Sequence, residues 1–275
     1  MKRVSIKELI PKHKIVIDPR RHLLAQQVYD LNDIQAIKFT HREPQNFTDK
    51  FALRTVGLME VIMNALTGKD HQKRTTTQWY NRFIFLEALG IVPGLVAGTA
   101  KHLRSLSSMK PDRAMIHLLL EEAENERTHL FLFMNLRKPG MLIKFGIAAK
   151  QFLLWNIFFI SYLISPYYVH RFVGYMEEES IFNYTMFLKQ IDSGNLKELQ
   201  NMEAPQLAKD YYNLPADAKF RDMVLSIRAD ESLHREFNHY FCELSKKDEV
   251  DKLNVDDINL DVSHVRFQEN PEPTK

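Results

Sequence analysis

Two copies of one spacing carry chemistry in this chain. Glu126 and His129 stand in Asn125 Glu126 Arg127 Thr128 His129, and Glu231 and His234 in Arg228 Ala229 Asp230 Glu231 Ser232 Leu233 His234. Residues three apart share a helix face, so each copy aims a carboxylate and an imidazole the same way. That face is apolar: Leu119, Ala123, Leu130 and Phe133 fall at minus seven, minus three, plus four and plus seven from Glu126, and Val224, Ile227 and Phe241 line the stripe of the second copy. An unpaired charge in a core costs several kcal/mol or more. Each pair therefore needs a salt bridge, a hydrogen-bond network, or a metal that takes both carboxylate oxygen and imidazole nitrogen.

Two further glutamates stand between and before these copies. Glu87 is the lone charge between Phe83 and Ala100, and Glu177 opens the run Glu177 Glu178 Glu179. The resulting order is Glu, Glu-x-x-His, Glu, Glu-x-x-His. A di-iron carboxylate site in a four-helix bundle needs one Glu from each of two helices and a Glu-x-x-His from each of the other two. Carboxylates bridge two iron ions, and one neutral imidazole per iron completes a site with positions open for dioxygen. Neighbours on a helix diverge by about 100 degrees, so spacing alone leaves open which of the three consecutive glutamates points inward. Tyr184, seven residues beyond Glu177, shares its face; a phenol there can give a proton or an electron or simply fill the core.

The elements that would position these residues are helical. With 9 glycines and no run of alternating β-branched residues, the periodicity predicts an all-α fold: a ferritin-like four-helix bundle holding the di-iron carboxylate site, with interfacial membrane-binding helices added. Residues 1–50 read as an extended arm, 51–245 as the helical domain, and 246–275 as a polar, mobile tail. A helix over Phe51 to Leu66 is expected to end at Gly68. From Phe83 to Ala100, Pro93 and the series Gly90, Gly94, Gly98 favour a helix pressed against neighbours over a membrane span. Asp112 is expected to cap the helix of Glu126 and His129, which stops near Lys138 Pro139 Gly140. Between Lys150 and His170 there is no charge; Pro166 cuts this run short of a span of about 20 residues. It reads as a helix in the membrane interface, anchored by Lys144, Lys150, Trp155, Tyr162, Tyr167 and Tyr168, with a buried bundle helix as the alternative. Tyr167 to Ile191 and Ala216 to Leu244 are further helices, joined through a polar connection over Asn195 to Leu214.

Composition narrows the chemistry. The 37 basic and 35 acidic residues leave a net charge of +2, so nothing demands nucleic acid as a partner. Cys242 is the single cysteine, which excludes an intrachain disulfide framework and cysteine-held metal. The mean hydropathy of -0.32 argues against a polytopic membrane protein, and the region Met1 to Ala25 lacks the apolar core of a secretory signal.

Four segments in order, Arg82 to Gly94 (RFIFLEALGIVPG), Glu124 to Leu130 (ENERTHL), His170 to Glu179 (HRFVGYMEEE) and Arg228 to His234 (RADESLH), resemble the alternative oxidases, the quinol oxidases of mitochondria. The resemblance implies Glu87, Glu126, His129, Glu177, Glu231 and His234 as ligands of two iron ions, with Tyr184 as a redox-active tyrosine. It implies supporting roles for Asn125 and Asp230 and quinol contacts by Arg82, Leu86, His170 and Glu179. It further implies ubiquinol and dioxygen as substrates, water as product, a homodimer, and docking on one leaflet at the matrix side of the mitochondrial inner membrane. Departures lie near the site: Ala88 where the family has Thr, Thr128 for Met, Met176 for Leu, Ser180 for Ala and Tyr212 for Trp, and the regulatory cysteine of plant members is absent. A quinone-ring hydroxylase or a ribonucleotide reductase small subunit would use the same ligand set, and a metal-free scaffold would pair the same side chains in salt bridges.

Overall fold

The computed structural model describes residues 4–5, 29, 31–35, 37, 39–110, 115–246 and 259–260. Helices dominate it: α1 (Leu31–Gln35), α2 (Phe47–Thr67), α3 (Thr76–Ser108), α4 (Met115–Arg137), α5 (Met141–Ile164), α6 (Pro166–Asp192), α7 (Lys197–Gln200), α8 (Gln206–Tyr212) and α9 (Phe220–Lys246). Two short strands, β1 (Val4–Ser5) and β2 (Asn259–Leu260), pair antiparallel with Val4 opposite Leu260. The remainder of the terminal arm and tail, and the expected Asp112 cap, lie outside the described residues.

Local chemistry sets the helix ends. Asn46 accepts from the Asp49 amide and starts α2 four residues ahead of the expected Phe51, while Gly68, at φ 92, closes it as expected. Thr75 and Gln78 form a reciprocal capping box at the start of α3. Ser165 caps α6 through the Tyr168 amide, with Pro166 in its first turn. The connection after Gly194 is not simply polar chain, since α7 and α8 fold within it and bury Leu199, Ala208, Tyr211 and Tyr212.

The bundle consists of α3 packed along α4 and α6 packed along α9. Small residues allow the first approach: a Cβ on Gly94 would stand 2.7 Å from the Leu119 carbonyl oxygen and 3.1 Å from Ala123 Cβ. The second pair is braced by a buried cation. Arg171 Nε lies 3.0 Å from Asp49 Oδ1, and its Nη2 lies 2.7 Å from Glu243 Oε1, which ties α2, α6 and α9 together.

Two described helices, α3 and α5, are long and apolar enough to cross a membrane. Their surroundings differ: 78% of the apolar window of α3 is buried in the bundle, against 11% for α5. Helix α3 is thus the bundle helix its glycines predict. The face of α5 is left open at Leu142, Phe145, Phe152, Leu153, Ile160 and Leu163, so this chain does not itself bury the helix as the alternative expected. Lys144 among its expected anchors stays exposed, but Lys150, Tyr162 and Tyr167 turn inward. Lys150 places Nζ 3.4 Å from the Phe85 ring centre and donates to the Phe85 carbonyl; Tyr162 is buried, and Tyr167 donates to Asp49 Oδ1 at 2.6 Å. Buried polar partners within reach outcompete an interfacial position for these residues.

Candidate metal centre

Helices α3, α4, α6 and α9 bring the six expected ligands into two overlapping groups. Glu87, Glu126, His129 and Glu231 form one, and Glu126, Glu177, Glu231 and His234 the other; within each group one ligand atom per residue lies within 4.8 Å of every other. All six side chains are buried. Glu126 and Glu231 belong to both groups, so the geometry describes two adjacent cation positions sharing two carboxylates. Gly90 makes room for this, because a Cβ there would overlap the Glu126 carboxylate.

The three consecutive glutamates go three ways. Glu177 faces the cluster. Glu178 meets His41 at 2.5 Å and His239 at 3.0 Å, and Glu179 lies toward Arg82. Helical divergence of about 100 degrees per residue separates one metal-facing carboxylate from two with other partners.

The electrostatics of the cluster call for cations. Burial, and then the facing Glu87 and Glu177 carboxylates, push Glu126 well above the usual carboxylate range. Burial and then Glu126 do the same to Glu231, and burial raises Glu177. Both oxygens of Glu177, Oε1 of Glu126, Oε1 of Glu231 and Nδ1 of His234 lie buried without a hydrogen-bond partner. His234 Nδ1 approaches Glu126 Oε1 to 2.9 Å, but off the angle a hydrogen bond requires. Orphaned carboxylate oxygens and an imidazole nitrogen converging on one space are the donor set of a hard or borderline divalent metal, so the residues present fit a pair of iron ions.

A second ring of partners orients the first. Asp230 Oδ2 accepts from Asn125 Nδ2 at 2.8 Å and the Tyr212 hydroxyl at 2.8 Å and lies 3.1 Å from His129 Nε2; Asp230 Oδ1 accepts from the Tyr29 hydroxyl. With Nε2 engaged there, His129 turns Nδ1 to the cluster, 3.2 Å from Glu87 Oε2 and 3.1 Å from Glu231 Oε1. Burial would lower the His129 pKa, but Asp230 and Glu87 outweigh it and raise it to about 10. Burial likewise opposes ionisation of Asp230, yet the His129 bond holds it below its usual range. The Tyr184 hydroxyl donates to Glu87 Oε1, and its ring stacks on Phe83 at 4.2 Å. Burial and then Glu87 keep that phenol protonated well above its ordinary pKa.

The four expected quinol contacts do not form one group. Arg82 is held by Asn183 Oδ1 at 2.5 Å, Asn64 Oδ1 at 2.9 Å and Thr67 Oγ1 at 3.2 Å, with Nη2 left buried and unpartnered. Glu179 lies toward the same guanidinium and is raised to about 7 by burial and then Glu60. Leu86 is buried one turn along α3 from Arg82. His170 belongs elsewhere, among Asn238, Tyr162 and Phe241; it stands nine residues before Glu179, so the two project from opposite sides of α6.

Tyr29, Tyr211, Glu122, Asn64 and Asn183 are polar contributors that sequence reasoning missed. Glu122 carried a usable signal, four residues before Glu126 on the same stripe. Tyr29 carried none, being 201 residues from Asp230.

The alternative oxidase family model matches residues 29–243, a stretch that contains all six cluster residues. The chain belongs to the alternative oxidase family. Among curated relatives, the mitochondrial alternative oxidase of Yarrowia lipolytica is 44% identical over 227 residues, covering 79% of this chain and 64% of that protein. Those of Emericella nidulans and Trypanosoma brucei brucei are 40% and 39% identical, covering 84% and 80% of this chain and 69% and 66% of theirs. The chain therefore spans about two thirds of the length of the alternative oxidases it matches. The hydroxylase and reductase alternatives find no support in this membership.

Proposed function

We propose that this alternative oxidase is a non-electrogenic ubiquinol:oxygen oxidoreductase, passing electrons from ubiquinol to dioxygen and forming water at a non-haem di-iron centre. The observation that carries the reading is the sharing of Glu126 and Glu231 between two ligand groups. Glu87 and His129 would complete one iron position, and Glu177 and His234 the other. Bound there, two iron ions would supply the change of oxidation state that lets dioxygen accept electrons. Each quinol gives two electrons and two protons, so two quinols balance one dioxygen taken to two waters.

The chain's own groups divide the remaining work. Asp230 accepts from His129 Nε2 and so keeps Nδ1 aimed at the cluster; Asn125 fixes Asp230 in turn. The Tyr184 hydroxyl holds a proton at Glu87 and is the phenol placed to yield it together with an electron. Arg82, through its unpartnered Nη2, Glu179 and Leu86 would receive the quinol head, and His170 would meet a quinol hydroxyl from the other side of α6.

The exposed apolar residues Phe51, Leu58, Val61, Ile62 and Leu66 of α2 and the open face of α5 support docking on one leaflet, from which quinol enters laterally. The mitochondrial names of the relatives support a mitochondrial location, and within it we put the protein on the matrix side of the inner membrane. We place a homodimer there, built on the helical domain 51–245, with residues 1–50 as an arm and 246–275 as a tail. Quinol-dependent oxygen uptake by the purified protein, surviving cyanide, tests the reaction. Oxygen inserted into the quinone ring would overturn it in favour of a hydroxylase.

A further inference from the structure

Asn238 stands on α9 one turn beyond His234 and is fully buried. Its amide nitrogen donates to the His234 carbonyl oxygen at 3.0 Å and to Glu122 Oε1 at 2.9 Å. A backbone carbonyl only accepts, so the nitrogen must face that side whatever proton Glu122 carries. The amide oxygen is thereby turned toward α6, where His170 Nδ1 lies at 3.0 Å. An amide oxygen also only accepts, so Nδ1 carries the hydrogen and a neutral ring keeps its lone pair on Nε2. That nitrogen faces α5, with the Tyr162 hydroxyl at 3.4 Å and the two rings edge to face at 5.6 Å.

The groups facing His170 are Asn238 from α9, Tyr162 from α5 and Lys101 from α3. Burial, with Lys101 acting the same way against Asn238, lowers the ring to about 4, so it is neutral where the reaction would run. A neutral imidazole with a fixed tautomer is a base with a direction.

We infer that Asn238 is a positioning residue that presents His170 Nε2 toward α5 as the acceptor of a phenolic proton, which in the reaction is the quinol's. The inference rests on the quinol oxidase reading. As the quinol is oxidised, its O–H bond breaks, the electrons go to dioxygen through the overall reaction, and the proton forms the second N–H of His170. Asn238 Oδ1 holds the resulting imidazolium by the bond it already makes.

The test uses the full chain labelled with 15N-histidine and loaded with zinc, whose closed shell keeps nitrogen resonances sharp; the His170 signals are those lost in His170→Gln. Wild type is expected to show a protonated Nδ1 and a bare Nε2 near neutral pH. Asn238→Leu is expected to shift the ring toward the Nε2–H tautomer. In the iron-loaded chain with a short-tailed ubiquinol, it should lower kcat on the order of 10²-fold at unchanged iron content and KM. Asn238→Asp keeps the acceptor for Nδ1 but loses the donor to His234 and Glu122, so it should restore the Nδ1–H without restoring the rate. A protonated Nε2 in wild type, or an Asn238→Leu rate equal to wild type, overturns the inference. Absence of quinol oxidation by wild type would sink the proposed reaction instead, and the spectra would still decide the tautomer. If the Leu variant fails to fold, the wild-type and Asp spectra decide alone: a protonated Nε2 in either overturns the inference.

Discussion

Glu126 meets the imidazole of the other motif: its Oε1 lies 2.9 Å from His234 Nδ1, across from α4 to α9. The reciprocal approach, His129 Nδ1 to Glu231 Oε1, is 3.1 Å. Each Glu-x-x-His thus places its histidine at one cation position and lends its glutamate to both. Replacing a shared carboxylate should therefore cost more metal than replacing an unshared one. Glu126→Ala or Glu231→Ala is expected to empty both positions, whereas Glu87→Ala or Glu177→Ala should leave about one iron per chain. Iron counted after anaerobic reconstitution checks this, and equal losses in all four variants would contradict the sharing.

Asp230 acts on the centre through His129 Nε2. Asp230→Asn leaves the shape intact but weakens the acceptor that fixes the ring, and metal affinity should fall about 10- to 100-fold. A competitive chelator titration measures it, with helicity by circular dichroism unchanged.

Gly90 has the Glu126 carboxylate where a side chain would go. Gly90→Ala should destabilise the fold by about 1–3 kcal/mol through overpacking and displace a shared ligand, so that iron content falls with stability. Ala at Gly57, where nothing lies within 4 Å, is the control and should retain both.

Without metal, stability should depend on pH with a definite sign. Glu126, Glu177 and Glu231 have folded-state pKa values raised above their unfolded ones. The folded chain then holds more protons, and stability present below about pH 4 is lost as pH rises through the raised values. His129, raised to about 10, contributes in the same direction up to that pH. Asp230 opposes them, but its contribution is already complete above about pH 4, and His71, His170 and His239, each lowered to about 4, oppose them only up to about pH 6.5. Thermal melts of the metal-free chain should therefore fall between about pH 6.5 and pH 8, while metal affinity, which requires deprotonated ligands, should rise over the same range.

Much of this architecture could be read from residue spacing, and the rest depended on contacts between distant segments. Glu87 stood out because a single charge in an apolar helix must be compensated, and the two Glu-x-x-His copies declared their faces through the apolar residues seven away. The divergence of Glu177, Glu178 and Glu179 follows from helix geometry, but their assignment needed to know that His41 and His239 wait for Glu178. Tyr29 and Tyr211 reach the centre from segments without strong periodicity, since a hydrogen bond across 201 residues leaves no local trace. The inward turn of Lys150 and Tyr162 went unread because amphipathic side chains serve an interface and a pocket equally well.

The Tyr184 hydroxyl bond to Glu87 separates a role in electron transfer from one in packing. Tyr184→Phe keeps the ring stacked on Phe83 and removes only the hydroxyl; iron content should stay near wild type while oxygen uptake falls on the order of 10²-fold. Uptake at the wild-type rate would leave Tyr184 as a core aromatic.

An anaerobic iron titration of the purified chain, followed by admission of oxygen with ubiquinol and cyanide present, tests whether the chain is a two-iron quinol oxidase. Binding should saturate at two irons per chain, with one dioxygen then consumed for every two quinols. Saturation below about one iron per chain, or two irons bound with no quinol-driven uptake, would contradict it.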